Sequence, residues 1–282
     1  MLQELNGDDL YAELIMLRTN DTRYFIVVEG VADVAVLDRF VNLEDCLPIP
    51  AHGKENAQTC LTRVIEDDFA KVFAILDRDW IGLIPGDLED KRIVHTDDYD
   101  LDASIFFADD VYVGMASSFC AGSTFRVGAA GCTWETIKEA CIEMTFPVGL
   151  LRFVSERDGL GLNLTKFPLG EILNSDLSVD LDSLVDLAIS RAKGESTSKQ
   201  DVIELLRIEE GRVSDRSRYC AGHDLAKAFS ILIKKRWKAK AGADLIERSA
   251  RSSLHTHGLQ KMAMYADAAK WANGTGTRIW RV

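Results

Sequence analysis

Two short apolar runs, about fifty residues apart, each end in acid. Tyr24-Phe25-Ile26-Val27-Val28 leads into Glu29-Gly30, and Val72-Phe73-Ala74-Ile75-Leu76 leads into Asp77-Arg78-Asp79. Each run reads as a buried β-strand that delivers carboxylate at its C-terminal end. In an open α/β sheet that edge is where ligands bind. A glutamate facing an Asp-x-Asp pair across neighbouring strand ends would supply three hard oxygen donors. Mg²⁺, or Mn²⁺ in its place, takes such a set while keeping several waters and bridging to phosphate. The chemistry to expect is phosphate chemistry with a divalent metal.

Positioning those acids requires aligned strands, and the sequence supplies an alternating pattern. After the strand at 24–28, Gly30 turns the chain into a helix from Val31 to Phe40, with Val34 and Leu37 at helical spacing and Asp33 near its start. Leu47 to Pro50 reads as a second strand, His52-Gly53-Lys54 as a turn, and Ala57, Leu61, Val64 and Ile65 as one face of a second helix. The strand at 72–76 is followed by a fourth at Arg92–His95 and a helix at Leu101–Phe107. Strands alternating with helices imply a parallel sheet joined by right-handed crossovers. Past residue 116 strand signals are few, and Trp134–Met144, Leu181–Ala192, Gln200–Ile208 and Asp224–Trp237 carry apolar residues at helical period. The expected fold is an α/β domain over residues 1–116, a parallel sheet flanked by helices, followed by a mostly α-helical domain over residues 117–282. Gly114, Gly122, Gly128 and Gly131 scatter through the connector, and Gly194-Glu195-Ser196-Thr197-Ser198 reads as an exposed loop.

With 282 residues, 47% of them hydrophobic, the chain can bury a full core without staples. Its six cysteines include no C-x-x-C pair and sit mostly in apolar stretches, which points to reduced thiols and a cytoplasmic protein. No apolar run approaches the roughly 20 residues that span a bilayer, and the polar, acidic start from Met1 to Asp9 does not read as a signal peptide. The net charge of -12 would disfavour nucleic acid if it were evenly spread. It is not: residues 205–282 hold 16 Lys and Arg against 7 Asp and Glu, which leaves 17 against 38 in residues 1–204. A basic C-terminal third can hold a polyanion through phosphate contacts and counterion release, while an acidic N-terminal part concentrates cations. Within that third, Lys234, Lys235, Arg236, Lys238 and Lys240 close a helix whose apolar face carries Leu225, Phe229 and Trp237. They are candidate phosphate contacts, and equally a set of cations that complements the helix C-terminus.

Glu29-Gly30 closing a strand, with Asp33 and Leu37 beyond, resembles the first motif of the Toprim domain of topoisomerases, primases and old-type nucleases. Leu76-Asp77-Arg78-Asp79 resembles its second motif, and the likeness covers roughly residues 18–115. It extends to a Toprim family of nuclease-like effectors found beside ABC-type ATPases in bacterial anti-phage defence, the PARIS-type effectors among them. That family carries Gly-Lys before the second helix, here Gly53-Lys54. It also carries Tyr-x-(Ile/Leu)-Glu-Asn, here Tyr99-Asp100-Leu101-Asp102-Ala103, with Asp for Glu and Ala for Asn. A late Gly222-His223-Asp224-Leu225 is similar to its C-terminal part.

The resemblance implies a Mg²⁺-dependent nuclease of DNA or RNA, tRNA included, acting as a toxic effector restrained by an ATPase partner and able to form a homodimer. It implies that Asp77 and Asp79 hold the metal, that Glu29 completes the site or activates water, and that Lys54 pairs with a phosphate oxygen. Asp102 would reach the metal directly or through water, and Asp33 would cap its helix or stand behind the ligands. Each residue also has a plainer role: Glu29 beside a helix N-terminus, Asp77 and Asp79 as loop caps, Asp102 as an N-cap, Lys54 as a surface cation. His223 reads as a core or capping histidine, and His255-Thr256-His257 has no cysteine nearby to complete a metal site. Two other classes stay open. One is a Toprim domain that only binds metal or phosphate, as the interaction subunit of an ATPase complex. The other is a primase- or topoisomerase-like phosphoryl transferase, for which the sequence offers neither zinc-binding cysteines nor a recognisable active tyrosine.

Overall fold

The computed structural model of the chain describes residues 6–85, 88–120, 133–192 and 198–281. Gly122, Gly128, Gly131 and residues 194–197 of the expected loop lie outside the described residues. The chain forms two compact units, residues 1–101 with 255–282, and residues 102–254. In the first, helix α1 (Gly7–Arg18) starts at Asn6, whose side chain accepts from the amides of Asp8 and Asp9. Strand β1 (Tyr24–Val28), helix α2 (Val31–Leu37), strand β2 (Cys46–Pro50), helix α3 (Lys54–Glu66), strand β3 (Val72–Leu76) and strand β4 (Ile93–His95) follow.

The strands form one parallel sheet in the order β2-β1-β3-β4. Composition explains the order. Pro48 and Pro50 have no N–H to give to a ladder, and β2 takes an edge. Strand β3 is apolar and buried at every position, as suits an interior strand covered on both faces. Alternation along the strands divides the two faces. Phe25 and Val27 of β1 and Val72, Ala74 and Leu76 of β3 join Leu10 and Leu14 of α1 and Ala57, Leu61 and Val64 of α3 in one core. Ile26, Val28, Phe73 and Ile75 alternate with these and are also buried.

Helix α4 (Leu101–Phe107) opens at the junction of the units, and the second unit continues with α5 (Asp109–Phe119), α6 (Trp134–Arg157), α7 (Leu181–Ser190), α8 (Lys199–Glu210), α9 (Gly222–Trp237) and α10 (Ala243–Ser253). Phe229 of α9 meets the rings of Phe106, Tyr112 and Phe119 edge-on. The helix expected to end at Met144 runs on to Arg157 through Pro147. Its apolar pattern continues past the proline in Val148, Leu150, Leu151 and Val154, all buried. That burial outweighs the roughly 3 kcal/mol that an interior proline costs.

The chain then returns to the first unit as α11 (Thr256–Gln260) and α12 (Ala263–Thr275). This division differs from the boundary expected at residue 116: residues 102–119 belong with the helices and residues 255–282 with the sheet. Trp271 of α12 stacks on Phe73 with ring centroids 4.2 Å apart. Val41 bridges Trp280, and the Asn42 amide donates to the Ile279 carbonyl at 2.8 Å. Helical spacing tells that residues 263–275 have a buried face, but not which core receives it.

Cys46, Cys60, Cys120, Cys141 and Cys220 are buried free thiols. Among the described residues no helix is long and apolar enough to cross a membrane.

Candidate functional site

In this strand order the chain leaves β1 toward β2 on one side and leaves β3 toward β4 on the other. A reversal of that kind opens a crevice at the carboxyl ends of the two central strands. Glu29 and Asp77 are the first residues past β1 and β3, so both stand at the crevice. The Asp77 amide donates to Glu29 Oε1 at 3.2 Å, and the Leu101 amide donates to Asp77 Oδ1 at 3.0 Å. The Gly53 amide donates to the Glu29 carbonyl at 2.9 Å, which ties the start of α3 to the end of β1. Gly53 sits at φ 133, a conformation that side chains rarely adopt.

The next residue, Lys54, places Nζ 2.7 Å from Asp79 Oδ2. Asp79 itself lies in the left-handed region, φ 41, and its amide donates to the Tyr99 carbonyl at 2.8 Å. Aspartate tolerates that region better than most residues, so the strand end can turn there without a glycine. Asp33 caps its own helix, its Oδ2 accepting the Gly30 amide at 2.8 Å. It thereby fixes the turn that follows Glu29.

Burial and crowding set the protonation of the acids. Glu29 is pushed up to about 7, first by burial and next by the charge of Asp79, against the opposing pull of the Asp77 amide and Lys54. Asp77 is pushed well above the usual carboxylate range by burial, then by the charges of Asp100, Glu29, Asp33 and Asp79. Two carboxyls placed this way titrate as a pair. Around neutral pH such a pair can take up a proton and return it.

No family model and no curated protein matches the sequence. What the crevice can bind follows from its own donors.

Among the described residues no three His, Cys, Asp or Glu side chains converge as a ready metal cage. The donor set suits a hard cation of the Mg²⁺ kind, which needs only one or two carboxylates and takes the rest of its ligands from water and phosphate. Glu29 and Asp77 are the acids whose crowding such an ion relieves. Asp79 is already balanced by Lys54.

Asp102, the remaining acid that the resemblance brings to the metal, is engaged elsewhere. Arg251 Nε donates to its Oδ1 at 2.7 Å, and the Arg251 terminal nitrogen holds Oδ2. A Cβ on Gly222 would lie 2.4 Å from Asp102 Cβ, so that glycine is required by the close approach of α9 to α4. His223 meets Glu247 through Nδ1 at 2.5 Å, and buried Asp224 pairs with Arg152 at 2.7 Å. In the 99–103 element the acid that bears on Asp77 is Asp100. The sequence showed it, but the density of acids over residues 97–102 gave no means of choosing among them. Asp102→Asn is expected to leave any Mg²⁺-induced rise in melting temperature intact. Loss of that rise, read by differential scanning fluorimetry, would return Asp102 to the ligand set.

Two further polar side chains line the cleft with Glu29, Lys54 and Asp77: Gln58 of α3, and His95 at the end of β4. A histidine closing a parallel strand was the available signal for the second. The basic run lies in the second unit, whereas the carboxylates lie in the first. Lys234, Lys235 and Arg236 are exposed on the last turn of α9, Lys238 closes it at φ 58, Lys240 is exposed beyond, and Trp237 is buried.

Proposed function

We propose that this chain is a Mg²⁺-dependent nuclease of the Toprim type, hydrolysing phosphodiester bonds of DNA or RNA. The observation that carries the reading is the pairing of Glu29 with Asp77: two acids at neighbouring strand ends, joined by one hydrogen bond and both raised in pKa. These are the residues to hold the metal, with Asp79 completing the acidic set. When bound, the ion neutralises phosphate charge and makes a bound water more acidic. Glu29 either completes the metal site or serves as the base that accepts a proton from the attacking water. Lys54, steadied by Asp79, offers a point charge to a non-bridging phosphate oxygen. Asp33 acts behind them by fixing the Glu29-Gly30 turn.

The wider reading rests on Glu29-Gly30, Asp77-Arg78-Asp79 and Gly53-Lys54 as sequence motifs. It is a cytoplasmic toxic effector of the PARIS type, restrained by an ABC-type ATPase and cutting a nucleic acid such as tRNA once released. A second reading, a phosphate-binding interaction subunit without catalysis, is favoured by the Lys54–Asp79 pair, which occupies one of the acids. Incubating the purified chain with DNA, RNA and tRNA in Mg²⁺ separates the two. Cleavage by the wild type and not by Glu29→Gln supports the nuclease, and binding with no cleavage of any substrate supports the subunit.

The exposed run on α9 makes its own prediction. Lys234→Ala/Lys235→Ala/Arg236→Ala should lower the slope of log K against log salt by about 2 on single strands, since each lost phosphate contact contributes about 0.7. An unchanged slope would leave these residues as cations that serve only the end of their helix.

A further inference from the structure

A groove with a volume of about 650 Å³ runs between β4, with the residues just after it, and α12. Its walls carry Arg78, Lys91 and Lys270, all exposed, together with the half-buried ring of Trp271. Two acids also line it, Asp97 and Asp267. Asp97 is committed to the start of α12, its oxygens accepting the amides of Ala263 and Met264 at 2.6 and 2.9 Å. Asp97 keeps its charge in doing so, and the groove thus carries three cations against two carboxylates; none of the three cations forms an ion pair with a described residue. Arg78 spends one guanidinium nitrogen on the Asp97 carbonyl, at 2.9 Å. Ile81 and His95 line this groove and also the cleft that holds Glu29, Lys54 and Asp77. The positive groove and the carboxylate crevice are therefore neighbours within one unit.

We infer that this groove is the track of a single-stranded polynucleotide, whose phosphates lie along Arg78, Lys91 and Lys270 and whose chain leads past His95 to the Glu29–Asp77 crevice. Charge complementarity selects a polyanion. The volume is that of a small-ligand site, enough for roughly one or two nucleotides of a single strand. Trp271, held by its stack on Phe73, also lines the groove, and aromatic rings of this kind stack on single-stranded bases irrespective of sequence. The inference deepens the nuclease reading by naming how its substrate enters, but binding in the groove requires no catalysis.

The test measures fluorescence anisotropy of labelled oligo-dT and oligo-U with the full chain in EDTA, from about 50 to 200 mM salt. The Lys91→Ala/Lys270→Ala variant should bind both more weakly, with a slope of log K against log salt lower by about 1.4, or about 0.7 for each contact. Lys91→Arg/Lys270→Arg should restore the slope, which separates lost charge from a damaged fold. A double alanine variant with the wild-type slope overturns the groove, as does a wild type that binds duplex but neither single strand. A difference between the oligo-dT and oligo-U arms identifies which polynucleotide the track prefers. The Glu29→Gln variant keeps the two proposals apart. If the lysines set the slope while neither wild type nor variant cleaves, the groove stands and the nuclease reading fails. If the wild type cleaves and the slope ignores the lysines, the nuclease reading stands and the groove falls.

Discussion

Glu29→Gln and Asp77→Asn are each expected to reduce metal-dependent cleavage by about 10²–10⁴-fold or more, the contribution of a positioned acid–base group, with loss of metal affinity added. Both substitutions preserve shape. A glutamine oxygen can still accept the Asp77 amide that now reaches Glu29 Oε1, and an asparagine oxygen can still accept the Leu101 amide that now reaches Asp77 Oδ1. Neither introduces a charge, and burial disfavours the ionised form of both side chains in the wild type. The variants should therefore melt no lower than the wild type in the absence of metal. Initial rates on the authentic substrate check the expectation. A near wild-type rate from either variant would remove that residue from the chemistry, and a collapse of the fold in both would show that the pair is structural.

The second large effect is on stability. Glu29 titrates near pH 4.5 when unfolded and near 7 when folded. Between those values the folded chain holds a proton that the unfolded chain has released, so stability is greatest below pH 4.5 and falls as pH rises through 7. At 1.36 kcal/mol per unit, the loss across that window is on the order of 3 kcal/mol. Asp77, also raised, pushes in the same direction. Without metal, the wild type should lose melting temperature relative to Glu29→Gln as pH climbs from about 5 to 7.5, by roughly 5–10 °C. Mg²⁺ binds the deprotonated acids, so its stabilising effect should grow over the same interval and be largely absent in the variant. Melting curves with EDTA and with Mg²⁺ at several pH values measure both parts. Parallel profiles for wild type and variant would refute the crowded-acid site.

The sheet was legible because its strands are short, apolar and bounded by glycine, proline or acid. β1 and β3 begin and end where Tyr24–Val28 and Val72–Leu76 do in the sequence. Their adjacency could be anticipated from the alternation of strands and helices, and adjacency is what brings Glu29 and Asp77 together. Less legible were contacts made by residues far apart in sequence. Nothing local to Asp102 announces Arg251, and nothing local to Trp271 announces Phe73. The turn at Asp79 was equally hidden, because a left-handed aspartate has no distinctive neighbours. The Lys54–Asp79 pair depends on that turn and on the Gly53 bond to Glu29, two backbone events that side-chain patterns do not encode.

The return of the last segment to the sheet has a consequence for biosynthesis. On the ribosome, all four strands are made before residues 102–254, and only afterwards does α12 arrive with Trp271 to stack on Phe73. At 5–20 residues per second that interval lasts roughly 8–30 s, during which a nascent sheet bears uncovered apolar surface and is a natural client for chaperones. The groove wall formed by α12 is likewise missing until residues 263–275 have been made. The polynucleotide track proposed above is therefore completed only after residues 102–254 have been translated.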